Sequence, residues 1–190
     1  MPLYRVIRTL YPVPGSRQFP APIAMTLKAP SALLALLTAL AVVPAHAQFT
    51  PRHIYNADAD AHAEIREAVS TAAREHKRVI LDFGGNWCGD CQVLDIYFHR
   101  APNDALLQAN YVLVDIDIGR YDKNLDLADK YGVPLKRGVP ALAVLDAHGR
   151  LLYSQRTGEF ENMRAMSPDS VTAFLEKWKQ GGTAETPGGQ

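Results

Sequence analysis

Two short apolar runs rich in β-branched residues, "RVILDF" at 78–83 and "YVLVDIDI" at 111–118, most constrain what this chain can become. Runs of this length and composition read as buried strands. Between them lie "CGDCQVLDIYFHR", with Val93, Leu94, Tyr97 and Phe98 at helical spacing, and "APNDALLQA", a second short helix capped near Asn103. Two strands joined through helices imply an α/β domain with a parallel part.

The flanking segments extend this pattern. Residues 58–77 are alanine-rich, start with aspartates, and place Ile65, Val69, Ala72 and His76 on one stripe, so they predict a helix. "DKNLDLADKYG" at 122–132 fits a helix ending at Gly132, with Leu125 and Ala128 inward. "PALAVLD" (140–146) and "RLLYSQR" (150–156) flank the turn "AHG" and predict an antiparallel hairpin. Ser167 as N-cap, Pro168 at the first helical position, and the face Val171, Phe174, Leu175, Trp178 define a last helix. Met163 and Met166 are expected to cover the loop before it. The order αβα(α)βαββα gives a central mixed β-sheet flanked by helices on both faces. That domain spans 58–180, after a lead-in at 48–57 and before a disordered tail at 181–190 with the composition "GGTAETPGGQ".

The formal net charge of the 190 residues is zero, but residues 1–47 hold four basic residues and no acidic one. The remainder holds sixteen basic and twenty acidic residues, a net charge of −4, with no basic stripe for nucleic acid. Lys28, the apolar run "SALLALLTALAVV" (31–43) and "PAHAQ" form a signal peptide at 25–47, with cleavage expected after Ala47. Met25 stands directly before this unit, so residues 1–24 are read as a start-site artefact or an extended basic region. The predicted location is therefore periplasmic or secreted, an oxidising compartment.

The two cysteines, Cys88 and Cys91, stand three positions apart in "FGGNWCGDCQ". As a structural staple they close a tiny loop, which restricts the unfolded chain least. As metal ligands they number two, where structural zinc commonly takes four, although a soft dithiol also suits copper. His99 lies eleven residues past Cys88, about 16 Å along a helix, and His53, His62, His76 and His148 fall on expected surface positions. A helix starting at Cys88 would put that sulfur at the positive end of the helix dipole, which favours the thiolate. Cys91, one turn later, would be near enough to attack a mixed disulfide formed at Cys88.

The segment "VILDFGGNWCGDC" resembles the strand-turn-helix signature of the thioredoxin superfamily, with Trp87 before the first cysteine and Asp82 six residues before it. Downstream, "RGVPALAVLD" resembles the segment that carries the family's cis-proline, here Pro140 after Val139. The resemblance runs from about Val79 to Trp178, and "WCGDCQVLDIYF" with the following segment is most similar to exported thioredoxin-like domains of the DsbD C-terminal type. It implies a thioredoxin fold and a thiol–disulfide oxidoreductase whose redox-active disulfide is Cys88–Cys91, with no other cofactor. Cys88 would be the attacking thiolate, Cys91 the resolving thiol, and Asp82 a buried carboxylate beneath Cys91 with a raised pKa. Trp87, Val139 and Pro140 would contact the substrate, protein thiols and disulfides, through a short β-augmentation.

Four features depart from the family pattern. Asp90 replaces the proline common between the cysteines, next to Gly89, and a carboxylate there opposes ionisation of Cys88 and makes the pair more reducing. The longer loop "YGVPLKRGVP" brings Lys136 and Arg137 near the site, to pair with Asp90 or to steer an acidic partner. Ile96 stands near where a helix-kinking proline is expected. The basic residue that often partners the buried aspartate is missing around Leu113. The reading is an exported reductase or electron relay, monomeric, fed by a membrane dithiol donor. A copper- or zinc-handling dithiol protein and a non-catalytic binding module of the same fold are the alternatives.

Overall fold

A computed structural model of the chain describes residues 50–181. The signal peptide, the segment before it, and all but the first residue of the expected tail lie outside the described residues. Among the described residues, no helix is long and apolar enough to cross a membrane.

The first helix, α1 (Ala61–Glu75), is capped by Asp60, whose side chain accepts a hydrogen bond from the Ala63 backbone. It buries Ala61, Ile65, Ala68 and Ala72. His76 was expected on that stripe but takes the left-handed C-cap conformation and lies exposed, because the helix has already ended. Strand β1 (Arg78–Gly84) follows and pairs on both sides. Its partners are β2 (Tyr111–Asp117), parallel, and β3 (Ala141–Leu145), antiparallel; β4 (Leu151–Ser154) completes the hairpin beside β3. The sheet order is β2-β1-β3-β4, which puts β1 at its centre.

A central strand covered on both faces carries apolar side chains in both directions, which explains the consecutive apolar residues Val79, Ile80 and Leu81. Val79, Leu81 and Phe83 enter one core with α1 and with Leu127 and Ala128 of α4 (Leu125–Lys130). Ile80 enters the other core, with Leu94 and Phe98 of α2 (Gly89–Phe98), Leu107 of α3 (Asn103–Asn110), and the Val171, Phe174, Leu175, Trp178 face of α5 (Pro168–Trp178). The two-sided thioredoxin-like α/β arrangement is therefore the observed one.

Local readings differ in three places. The helix expected over 122–132 is only the six residues of α4, with Tyr121 and Asn124 at positive φ before it, and Leu125 points outward while Leu127 is buried. Asn103 does not cap α3; it is the first helical residue, and its buried amide donates to the Tyr97 carbonyl and accepts from the Thr172 hydroxyl, joining α2 to α5. Ser167 holds the N-cap position of α5 without a side-chain hydrogen bond. Met163, in a 3₁₀ turn at Met163–Ala165, is wholly buried in the second core.

Leu81 is fully buried on the central strand, so Leu81→Ala should cost about 2–5 kcal/mol. Urea unfolding monitored by circular dichroism reads this; a loss under about 1 kcal/mol would contradict the placement of this core.

Candidate functional site: a disulfide over a buried carboxyl

β1 ends at Gly84, the chain turns through Gly85 and Asn86, and α2 begins, so the two cysteines fall on the first turn of a helix at the C-terminal end of the central strand. Cys88 is the N-cap of α2, and its Sγ accepts a hydrogen bond from the Cys91 backbone N–H at 3.1 Å. The two sulfurs are joined as a disulfide. They are not equivalent: Cys91 is completely buried, whereas Cys88 borders an open groove of about 480 Å³ with Trp87, Arg137, Val139 and Glu161. Cys88 Sγ also lies 3.4 Å from the Val139 carbonyl oxygen.

The groove is built from distant segments. Trp87 is 40% exposed, with its indole N–H donating to the Gly119 carbonyl, the Arg120 guanidinium 5.1 Å from its ring centre, and Tyr121 beside it. These three contacts hold the ring as a rigid, half-exposed wall. Opposite it, the Val139–Pro140 bond is cis, as is Ala101–Pro102. Gly138 has φ +128°, in the region that favours glycine, and a Cβ there would meet the Glu161 side chain at 2.9 Å. The Pro140 carbonyl accepts from the buried Gln155 amide, whose oxygen takes the Leu142 N–H.

Asp90 is largely buried, and its cation is neither Lys136 nor Arg137. Arg164, from the 3₁₀ turn before α5, donates through its backbone N–H (3.0 Å), Nε (3.2 Å) and Nη2 (3.0 Å) to the Asp90 carboxylate. That turn packs directly on the start of α2, whereas Lys136 and Arg137 lie in an exposed 3₁₀ turn, Leu135–Arg137, and only Arg137 borders the Cys88 groove. A fork of three donors neutralises Asp90. Its opposition to a Cys88 thiolate is correspondingly weaker than an isolated carboxylate would give.

Beneath the disulfide the electrostatics are acidic. Asp82 is 1% exposed, and burial pushes its carboxyl well above the usual carboxylate range, with the nearby charges of Asp115 and Asp95 adding to the effect. The expected basic partner is absent; the residue paired with Asp82 across β1 and β2 is Asp115. Burial and the Asp95 charge raise Asp115 to about 7. Asp95 is itself buried, with Arg52 at 2.7 Å and His99 at 3.1 Å. The one group donating to Asp82 is the Tyr55 hydroxyl, at 2.9 Å from Oδ2, while Oδ1 is buried with no hydrogen-bond partner among the described residues.

Tyr55 arrives on the lead-in, which is strapped to the cysteine turn by two side-chain amides. Asn86 accepts from the Ile54 and Tyr55 N–H groups and donates to the Tyr55 carbonyl, and Gln92 exchanges two hydrogen bonds with the Arg52 backbone. A Cβ on Gly84 would sit 2.3 Å from the Tyr55 hydroxyl oxygen and 2.9 Å from Cys91 Sγ. Glycine at 84 is what lets the hydroxyl and the sulfur share that space. None of Tyr55, Asn86, Gln92, Asp95, Asp115 and Arg164 stood out as a site residue in the sequence. The alternation of "YVLVDIDI" paired against "RVILDF" carried a signal for Asp115, but Arg164 is 74 positions from Asp90 and carried none.

Among the described residues, no cluster of three or more His, Cys, Asp or Glu side chains is arranged to hold a metal ion. A thioredoxin-like family model matches residues 60–147. The crystal structure of a disulphide isomerase from Xylella fastidiosa Temecula1 is 36% identical, with a TM-score of 0.63, and the match covers 66% of this chain and 96% of that one. The thiol:disulfide interchange protein DsbD of Pseudomonas fluorescens is 30% identical over 125 residues, 62% of this chain but only 18% of that protein. A thioredoxin of Mycoplasmoides gallisepticum is 28% identical over 80 residues, 42% of this chain and 67% of its own length. The chain belongs to the thioredoxin-like family, and its cysteine pair and relatives are of the thiol–disulfide oxidoreductase type.

Asp115 keeps its proton in the folded state up to about pH 7, whereas an unfolded aspartate releases it near 3.8. The folded state therefore binds more protons in that window, and this contribution to stability is present below pH 4 and fades as pH rises through about 7. Unfolding midpoints at pH 5 and pH 7.5 should show Asp115→Asn losing less stability than wild type between the two. An identical or steeper fall in the variant would contradict the raised Asp115.

Proposed function

We propose that this protein is an exported thiol–disulfide oxidoreductase that works in the reducing direction or as an electron relay. The observation that carries the reading is the asymmetry of the disulfide: Cys88 borders the groove at a helix N-terminus, and Cys91 is sealed beneath it, sharing the space at Gly84 with the Tyr55 hydroxyl that donates to Asp82. In reduction, the Cys88 thiolate attacks a substrate disulfide, forming the Cys88–substrate bond and expelling one substrate thiolate. Cys91 then loses its proton toward Asp82 and attacks Cys88 Sγ. The second substrate thiolate leaves, and the Cys88–Cys91 disulfide forms. Electrons pass from the dithiol to the substrate, and a reduced dithiol partner must return them.

Trp87, Val139 and Pro140 supply the docking wall, with the Val139 backbone available to an extended substrate strand. The reducing direction is supported by the acids around the pair. Strong oxidants arise where the reduced thiolate is stabilised; Asp82, Asp115 and Asp95 stabilise no anion nearby, and a disulfide carries no charge for them to oppose. The Arg164 clamp on Asp90 reduces the share of that tuning assigned to Asp90. Gly89 leaves the helix start open to the groove, and Arg137 adds positive charge at its rim for an acidic partner. Export to the periplasm is supported by the signal-peptide pattern and by the likeness to an interchange protein, which also makes a membrane dithiol a fitting electron donor. A monomer is the working assembly.

The test is turnover and trapping. Purified protein with a chemical reductant should reduce a disulfide-bonded protein such as insulin, Cys88→Ser should abolish this, and Cys91→Ala should accumulate a covalent complex through Cys88. Full activity in Cys88→Ser, or no complex with Cys91→Ala, would overturn the reading.

A further inference from the structure

We propose that Tyr55 is a proton-relay residue, its hydroxyl linking the resolving Cys91 to the buried carboxyl of Asp82. The inference rests on the dithiol reading above, but concerns only the second step, resolution by Cys91.

The geometry brings the three groups to one place. The Tyr55 hydroxyl donates to Asp82 Oδ2 at 2.9 Å, and the same oxygen and Cys91 Sγ crowd one face of Gly84. All three side chains are sealed from solvent, at 2%, 1% and 0% exposure. A side chain with no exposed surface has no direct path to solvent, so a neighbouring polar group is the natural acceptor for its proton. Burial and the adjacent Asp82 hold the Tyr55 phenol well above its ordinary value, which keeps it neutral and a donor at any working pH. A neutral hydroxyl both accepts and donates. As Cys91 ionises, its proton passes to the Tyr55 oxygen while the Tyr55 proton passes to Asp82. Tyrosine is unchanged, the thiolate is formed, Asp82 becomes the neutral acid, and no other reactant is needed.

The strap explains why the lead-in is held so firmly. Four hydrogen bonds from its backbone N–H and carbonyl groups at residues 52–55 go to Asn86 and Gln92, and a fifth joins the Tyr55 N–H to Asn86. The Arg52–Asp95 ion pair, 2.7 Å, adds a further tie to the cysteine helix. Both amides flank the cysteines, so one short stretch of sequence builds the disulfide and anchors the segment that serves it.

The test measures resolution alone. Full-length protein is glutathionylated at Cys88, and release of glutathione by Cys91 is followed by acid quench and mass spectrometry. Tyr55→Phe keeps the ring and removes the hydroxyl; resolution should slow by at least about tenfold, while alkylation of Cys88 keeps its wild-type rate. Asp82→Asn should slow resolution similarly, and the double variant should be no slower than the slower single one. A wild-type resolution rate in Tyr55→Phe, or multiplicative slowing in the double variant, would overturn the relay. Wild-type protein provides a check that no folding defect can obscure. Its rate in H2O–D2O mixtures should fall along a curve set by two moving protons, and a straight line would overturn the relay. Failure to reduce insulin would sink the protein-substrate reading and leave this result standing, because glutathione resolution needs no protein partner.

Discussion

The constraint on which this structure turns is an ionisable carboxyl on the central strand of the sheet. Asp82 lies between two hydrogen-bonded neighbours, under the disulfide, at 1% exposure. Burying such a group is costly unless it stays protonated or finds donors. Here one oxygen takes the Tyr55 hydroxyl, and the raised pKa makes the carboxylate a ready acceptor for a proton from a neighbouring group. Asp115, paired with it on β2, and the Asp95 carboxylate on α2 push its pKa up further, so the acids crowd one region of the domain. Purely apolar residues would make a cheaper core at these positions. The link from Asp82 through the Tyr55 hydroxyl to the space beside Cys91 gives a chemical reason for carrying the cost.

The elements around that patch are arranged to keep it dry and in register. Leu94 of α2 packs in the core beside Ile80, Gly84 opens space for a hydroxyl and a sulfur, and the strap at 52–55 fixes Tyr55 against Asn86. On the groove side, Trp87 and the Gly138–Val139 segment leave only Cys88 approachable. The Asp90–Arg164 clamp ties the first turn of α2 to the turn before α5, so the helix start that carries Cys88 is held from two directions. One cysteine is presented and the other is withheld.

What was legible in the sequence followed from periodicity and local motifs. The strands at 78–83 and 111–118, the hairpin at 140–156 and the apolar face of the last helix each declare themselves through their own residues. So does Cys88 at a helix start. The misread residues are those whose state depends on something far along the chain. His76 and Leu125 fit a helical stripe, but α1 ends just before His76, which is itself at positive φ, and α4 begins at Leu125 just after positive-φ Asn124. Lys136 and Arg137 were the nearest cations in the motif, yet the clamp on Asp90 comes from a turn near α5 that folds back on α2. The lead-in looked like a featureless approach to the domain. Its hydrogen bonds go to side-chain amides rather than to a strand, and no periodicity announces that.

The central claim is that a buried acid field beside Cys91 makes this disulfide a stable, reducing couple. The equilibrium reduction potential of Cys88–Cys91, measured against glutathione buffers by thiol alkylation and mass spectrometry, tests it most directly. The account predicts a value close to that of thioredoxin, about −270 mV. A value near that of the strong oxidants, about −120 mV, would contradict it.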